Sequence, residues 1–358
     1  MTNKNFYKEI DIIADERGLE PEDVLECVRV ALDKACGSIG YTGQIVVEFQ
    51  RETAKIKIVE IKTVVDEIDP EGPVGQILLE EAQTVKPKIK VGGQIKTEIH
   101  FAEITRKGAA RFKNVFNQSL KELGNKRAYE FFKGKEGEMV TGRIVNVANG
   151  FAILNIGKGV RVSLPVNEAL PSEKLGEGQE MKVYITEVEE SGKGPIIKVS
   201  RAHRNIIKRL FEQIVPEVSD GTIEVMNVAR DPGSRTKVGV MSNDPTVDPK
   251  GTCIGIKGAR IKEIMAALNG EKIDIFNWSD DPIKLIAESL TPSKVIAVLP
   301  DPETKKSIAI VPDEQFSLAI GKGGQNVRLA CIASGWKIDI KDETTAYREG
   351  IRFRPNVR

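Results

Sequence analysis

Two short glycine-rich segments combine glycine with lysine in a way that suits contact with a phosphate group. The first reads Gly255-Ile256-Lys257-Gly258, and the second, 66 residues later, reads Gly321-Lys322-Gly323-Gly324. Glycine has no Cβ, so the backbone of such a loop can approach a phosphodiester closely, and a helix that follows offers free amides and the positive end of its dipole. A lysine inside the turn adds a counter-charge. We therefore predict two phosphate-binding loops.

The same order of predicted elements surrounds both loops. Apolar residues at helical spacing follow at 259–268 and 325–334, and nearly identical strands come next, at 272–275 and 337–340. Each loop is preceded by one helix and two β-branched strands: 203–214, 222–229 and 237–241 for the first, and 283–290, 294–299 and 307–311 for the second. This order is that of the bacterial, type II KH domain, an RNA-binding module. We expect KH domains at 201–277 and 278–345, with further RNA contacts from Arg260, Asn326 and Arg328.

Other chemistry finds little support in the residues. A P-loop needs Ser or Thr directly after its lysine, whereas Gly323 follows Lys322, and a dinucleotide site needs a βαβ unit that is not predicted here. The four cysteines form no Cys-x-x-Cys pair, and the chain has two histidines. No catalytic triad or carboxylate cluster stands out. We predict no enzyme activity, no metal and no cofactor.

A basic turn separates the first two strands of the first KH domain. It spans 229–237, is centred on Pro232-Gly233, and carries Arg230, Arg235 and Lys237. These cations could contact RNA, contact a neighbouring domain or only solubilise the turn. The sequence alone leaves all three open.

Five short strands within 133–200 predict an OB-type barrel. They lie at 139–147, 151–156, 160–164, 181–188 and 196–200, with turns at Asn149-Gly150 and 157–159. The opening Gly142-Arg143-Ile144-Val145 resembles the RNA-binding barrel first named from a large protein of the small ribosomal subunit. Arg143 and Arg161 could follow a phosphate backbone and Phe151 could stack on a base. The alternatives are solvated strand cations and a core aromatic.

Residues 1–132 predict an α/β domain of different charge. A helix at 21–35 precedes a small sheet, and helical spacing returns from Glu103 to Phe132. Residues 1–50 carry five basic and ten acidic side chains. With 358 residues in all, the chain is predicted to be a multidomain α+β protein.

The remaining bulk features narrow the class of protein. With 53 basic and 52 acidic side chains, the chain is no general polycation for coating nucleic acid. No leader or apolar run suggests secretion or a membrane span, so we expect a cytoplasmic protein that contacts no membrane. Residues 346–358 form a basic tail with Arg348, Arg352, Arg354 and Arg358, which either adds phosphate affinity or is disordered.

The order of the predicted domains resembles the bacterial transcription elongation, termination and antitermination factors of the NusA family. The most specific match is the segment 312–330, which contains the second loop, with further matches at 210–218, 230–237 and 270–275. The resemblance implies that residues 1–132 bind RNA polymerase, that the other domains bind single-stranded nascent RNA, and that the chain modulates pausing, termination and antitermination. It also implies other antitermination factors as partners and a monomeric protein.

Two rival classes remain to be weighed. A phosphorolytic exoribonuclease also combines KH with this barrel, but it places a single KH before the barrel and needs large catalytic domains. A ribosome-assembly or translation-associated RNA-binding protein would bind RNA without chemistry, so it stays the alternative. Co-purification with RNA polymerase or with ribosomal subunits would separate the two.

Overall fold

A computed structural model describes residues 4–148, 150–171 and 173–357. The chain divides into two units, Met1–Phe131 with Glu189–Pro195, and Phe132–Val188 with Ile196–Arg358. Among the described residues, no helix combines the length and apolar character needed to cross a bilayer.

The amino-terminal domain packs helices on one small sheet. Its elements are α1 (Lys4–Arg17), α2 (Pro21–Ser38), β1 (Gln44–Gln50), β2 (Lys55–Val65), β3 (Gln76–Leu78), α3 (Leu79–Val85), β4 (Gln94–Ile99) and α4 (Arg106–Lys133). One edge of the long strand β2 pairs first with β1 and then with β3, and the opposite edge of β2 pairs with β4. Val24, Val28 and Leu32 of α2 reach the main core at helical spacing. The helices α1 and α3 were not predicted.

The second unit begins with the barrel. Its strands are β5 (Met139–Ala148), β6 (Phe151–Asn155), β7 (Arg161–Pro165), β8 (Glu180–Glu189) and β9 (Ile196–Ser200), in the order β7-β6-β5-β8-β9. The two outer strands are linked just beyond their ends, because the amides of Arg201 and Ala202 donate to the Glu168 carbonyl at 2.8 and 3.1 Å. This nearly closes a five-stranded barrel, as predicted. The Asn149 half of the predicted hairpin signal lies outside the described residues, and Gly150 has the positive φ of 80° that suits such a turn.

The two KH domains repeat one topology. The first contains α5 (Asn205–Ile214), α6 (Pro216–Ser219), β10 (Ile223–Asp231), β11 (Arg235–Ser242), α7 (Pro249–Ile254), α8 (Ala259–Ala267) and β12 (Lys272–Asn277). The second contains α9 (Pro282–Ser289), β13 (Ala297–Asp301), β14 (Lys306–Val311), α10 (Phe316–Ile320), α11 (Gln325–Ser334) and β15 (Lys337–Asp342). In each sheet the central strand pairs antiparallel with the strand before it and parallel with the last.

The basic tail is folded as far as residue 357. A short helix α12 (Glu343–Arg348) begins directly after β15, and the chain then packs Ile351 and Phe353 against the second KH sheet. Asn356 donates to and accepts from the backbone of Val298 on β13, at 2.8 and 2.9 Å. The described part of the tail therefore packs on the second KH domain.

Candidate nucleic-acid interface

The two glycine loops have the same backbone. Gly255 and Gly321 have φ/ψ of 75°/170° and 77°/169°, and Gly258 and Gly324 have 74°/24° and 74°/13°. In each case the last glycine is the left-handed residue just before the helix that follows, α8 or α11. The loops are thus equivalent position by position at the 66-residue spacing seen in the sequence.

The first glycine of each loop is required by its surroundings. A Cβ on Gly255 would lie 2.9 Å from the Cγ of Arg260, and one on Gly321 would lie 2.8 Å from the Cβ of Asn326. These distances are shorter than carbon atoms tolerate, and both positions have a positive φ that favours glycine. The turn can therefore adopt this backbone conformation only with glycine at the first position of the loop.

The two loops differ in where they carry the lysine. In the second loop Lys322 is at the second position and Gly323, with φ 58°, is at the third. In the first loop Ile256, a residue that is 86% exposed, holds the second position, and Lys257 takes the third position with φ 52°. Lysine seldom adopts that left-handed conformation. Each loop nevertheless exposes one cation beside a helix start, as phosphate contact requires.

Arg260 and Asn326 occupy equivalent positions, and the side chain of each donates to a backbone carbonyl of the helix before its loop. Arg260 Nη1 donates to the Thr252 carbonyl at 2.9 Å and pairs with Glu217, also at 2.9 Å. Asn326 is 2% exposed, and its Nδ2 donates to the carbonyls of Leu290 and Ala319 at 3.1 and 3.0 Å. Asn326 therefore cannot contact RNA as predicted, because its amide is buried within the domain. Arg260 is half-buried and already neutralised by a carboxylate.

Helix α11 of the second KH domain lies along strand β10 of the first. At the start of the helix, Gln325 and Arg328 donate to Asp231 at 2.6 and 2.9 Å. At its end, Asn227 Nδ2 donates to the carbonyls of Ile332 and Ala333 at 3.3 and 2.9 Å. An acid near the amino end and a donor at the carboxyl end both suit a helix dipole. The Arg328 side chain is 59% exposed, but its charge is paired with Asp231.

The basic turn is mostly structural, which corrects the prediction for two of its three cations. Arg230 is 2% exposed and forms a two-pronged pair with the fully buried Glu271 at 2.8 and 2.9 Å, while its other amino group donates to the carbonyls of Arg201 and His203. Lys237 is fully buried and donates to the Thr291 carbonyl. Neither can contact RNA, because each side chain is enclosed by protein groups.

Arg235 is intermediate between these cases. Its guanidinium bonds both carboxylate oxygens of Asp274 at 2.6 and 3.0 Å, and this hydrogen bond raises the pKa of Arg235. The side chain is 22% exposed. Because its charge is balanced by Asp274, Arg235 contributes little net attraction for a phosphate. Of the three cations, only Lys237 contacts a neighbouring domain, through Thr291 of the second KH domain, whereas Arg230 and Arg235 pair with acids of their own domain.

The barrel brings its candidate residues to one face. Arg143 is opposite Asn155, which is opposite Arg161, so the two arginines flank one asparagine across strands β5, β6 and β7. Both arginines are exposed, and Phe151 at the start of β6 is 45% exposed. Tyr184, by contrast, is buried and stacks on His203 with ring centroids 4.7 Å apart. The face thus combines two cations with one accessible aromatic ring, the combination that single-stranded RNA binding uses.

Family models match four successive parts of the chain. They are the NusA N-terminal domain at residues 5–126, the S1 RNA binding domain at 133–200, and the NusA-like first and second KH domains at 201–278 and 282–348.

Curated relatives match nearly the whole length. The transcription termination/antitermination protein NusA of Bacillus subtilis is 42% identical over 343 residues, covering 96% of this chain and 92% of the relative. That of Thermus thermophilus is 38% identical over 352 residues, covering 95% and 90%. The chain belongs to the NusA family. Membership confirms the predicted fold class and makes the chain a non-enzymatic, RNA-binding factor of transcription termination and antitermination.

Proposed function

We propose that this NusA family member binds RNA polymerase through residues 1–132 and single-stranded nascent RNA through residues 133–345, and so modulates pausing, termination and antitermination. Other antitermination factors join the same complexes, and the chain acts as a monomer in the cytoplasm. The relatives are named for both termination and antitermination. The family relationship supports the polymerase contact, and the acidic start of the domain sets it apart from the RNA-binding part.

The observation that carries the RNA-binding part is the pair of equivalent glycine loops. Each exposes a lysine beside the start of a helix, and the two helices belong to domains joined through Asp231 and Asn227. A strand of RNA that reached both loops could contact the loop backbone and one lysine at each of them. The barrel adds Arg143, Arg161 and Phe151 on an exposed face.

The RNA contact is tested by replacing Lys322 and Gly323 with Asp. Two carboxylates would then face the phosphate, and we expect the affinity for single-stranded RNA in a filter-binding assay to fall at least about tenfold. The fold should persist, because Lys257 already occupies in the first loop the backbone conformation that Gly323 has in the second. Asp also tolerates this conformation better than most residues.

A matched control places the same two changes on α4, as Lys121→Asp with Gly124→Asp. Lys121 is exposed and a Cβ on Gly124 meets nothing within 4 Å. This control should bind RNA as the unchanged chain does. Equal affinity of the loop variant and the control, with unchanged circular dichroism, would refute the loop as an RNA contact.

The polymerase contact is tested by purification from cells. The tagged chain should recover RNA polymerase subunits, and a variant without residues 1–132 should not. Recovery of ribosomal subunits in place of polymerase would instead support the alternative, a ribosome-assembly or translation-associated protein.

A further inference from the structure

The segment after the second KH domain is anchored to that domain at three places. Thr344 N donates to Asp313 at 3.0 Å at the start of α12. Ile351 and Phe353 then pack with Ala297 and Ile310 on one face of the sheet. Finally Asn356 joins the free edge of β13. These contacts hold residues 343–357 in one arrangement.

The anchored segment alternates in burial as a strand does. Ile351 and Phe353 face the sheet, while Arg352 and Arg354 are exposed, and Arg348 is exposed at the end of α12. Residues two apart in an extended chain are about 6.6 Å apart, so two guanidinium groups can follow one backbone direction. The apolar contacts thus orient the two arginines toward solvent.

These arginines are not balanced by nearby acids. Among the residues that the structure describes, Arg348, Arg352 and Arg354 form no ion pair within 4.0 Å. Glu349 of this segment and Asp339 of β15 both face Lys341, at 3.1 and 3.8 Å. Three charged groups therefore remain free to pair with an external anion.

An aromatic ring lies among the arginines. Tyr347 is 66% exposed, and its ring is 5.2 Å from that of Phe353, between centroids. Phe353 holds the ring from the sheet side, which leaves Tyr347 accessible. Arginines that pair with phosphates and an exposed ring on which a base can stack are the two parts of a single-stranded nucleic-acid surface.

We propose that Tyr347, Arg348, Arg352 and Arg354 form an additional surface for single-stranded RNA on the second KH domain. The arginines pair with consecutive phosphates and Tyr347 stacks on one base, without sequence preference. The surface is distinct from the second glycine loop, because α10 and α11 pack on the opposite face of the sheet, against Val298 and Ala309. The choice of RNA as the ligand rests on the proposed function.

The test uses the full chain and unstructured RNA oligonucleotides, with affinity measured by fluorescence anisotropy over a range of salt. Replacing the three arginines with Gln should lower the affinity about tenfold and make the log–log salt dependence less steep by about 2, since each contact to single-stranded nucleic acid contributes about 0.7. Tyr347→Ala should lower the affinity at least about fivefold, and Tyr347→Phe should retain it.

Two controls separate this surface from general charge and from folding. The variant Lys8→Gln, Arg17→Gln and Lys121→Gln removes three exposed cations from the amino-terminal domain and should leave affinity unchanged. Replacing the three tail arginines with Lys keeps the charge and should restore most of the affinity. Equal losses in the tail variant and the amino-terminal control would overturn the proposal, because the effect would then be one of net charge.

The glycine-loop variant, Lys322→Asp with Gly323→Asp, distinguishes this proposal from the proposed function. Loss of affinity in the loop variant with none in the tail variants would refute only the tail surface. Unchanged affinity in both would refute RNA binding at either place. Because the surfaces are separate, combining the loop and tail changes should give losses that add in free energy. A combined loss no larger than that of the loop variant alone would contradict a second surface.

Discussion

At the scale of single residues, burial decides which of the many cations can serve RNA. Lys322 and Lys257 are exposed on turns, whereas the side chains of Arg230 and Lys237 are buried although they also belong to a basic stretch of sequence. The positions of the two loops could be predicted from the sequence, because the positive φ angles of the turn favour glycine whatever the rest of the fold does. It could not predict the partner of Arg230, since Glu271 is 41 residues away. Asn326 was misassigned for the same reason, because its partners belong to other elements.

Lys257 is the residue at which stability and RNA affinity should respond in opposite directions. Its φ of 52° costs a non-glycine residue about 1–2 kcal/mol, part of which glycine loses again through its flexibility when unfolded. We expect Lys257→Gly to raise the free energy of unfolding by up to about 1 kcal/mol and to lower RNA affinity. Urea unfolding and filter binding measure the two effects.

The equivalent change in the other loop serves as the control. Lys322 is not among the residues with a positive φ, so Lys322→Gly should lower both RNA affinity and stability. If Lys257→Gly also destabilised the chain, the strain argument for the first loop would be wrong.

Lys237 should make stability depend on pH. Burial lowers its pKa from 10.5 to about 8, although Asp274 opposes this change. Between these values the unfolded chain binds more protons than the folded one, so the free energy of unfolding rises with pH across this window. The gain is up to about 3 kcal/mol relative to Lys237→Met. The exposed Lys272→Met should follow the unchanged chain, and a flat difference between pH 8 and 10.5 for Lys237→Met would contradict the prediction.

At the scale of elements, the repeat of the two KH domains could be predicted because each helix and strand has its own pattern of apolar residues. The helix at 325–334 was predicted with the bounds that the structure gives to α11. The contact of α11 with β10 was not predicted, because nothing in either segment alone specifies which surfaces meet. Strand β10 also has a bulge between Val225 and Asn227, which shifts its register with β11 just before Asn227.

The Asn227 contact should determine how firmly the end of α11 is held. Asn227→Ala removes the donor to two carbonyls at a helix end, and we expect it to cost about 1 kcal/mol. Amide hydrogen exchange in α11 should then be about fivefold faster. Exchange in α8, the equivalent helix of the first KH domain, should not change.

A matched variant tests whether this effect is specific. Asn243 is also in the first KH domain, but its Nδ2 donates to Gly221 and Glu224 of that same domain. Asn243→Ala should leave exchange in α11 unchanged. If both variants accelerated amide exchange in α11 equally, the effect would be a general loss of stability and would not come from the Asn227 contact with the end of this helix.

At the scale of the whole molecule, the chain separates an α/β domain with an acidic start from a set of RNA-binding modules. The amino-terminal domain has cores of its own, one of them built by Val64, Ala82, Ile89 and Ile95. The barrel and the first KH domain share one apolar cluster, in which Tyr184 lies with Ile206 and Leu210. Phe276 of the first KH domain belongs to the main cluster of the second. Local sequence patterns were sufficient to predict the fold class, although they did not reveal α1 or α3.

Removal of residues 1–132 should therefore separate two activities. We expect the truncated chain to lose stimulation of pausing in a purified transcription assay, because its proposed polymerase-binding domain is gone. Its affinity for isolated RNA should stay within about twofold of the full chain, because the glycine loops and the barrel face lie in the part that remains. The loop variant Lys322→Asp with Gly323→Asp is the reciprocal control, since it should keep polymerase binding and lose RNA affinity. A truncated chain that still prolonged pauses as the full chain does would disprove this division of labour.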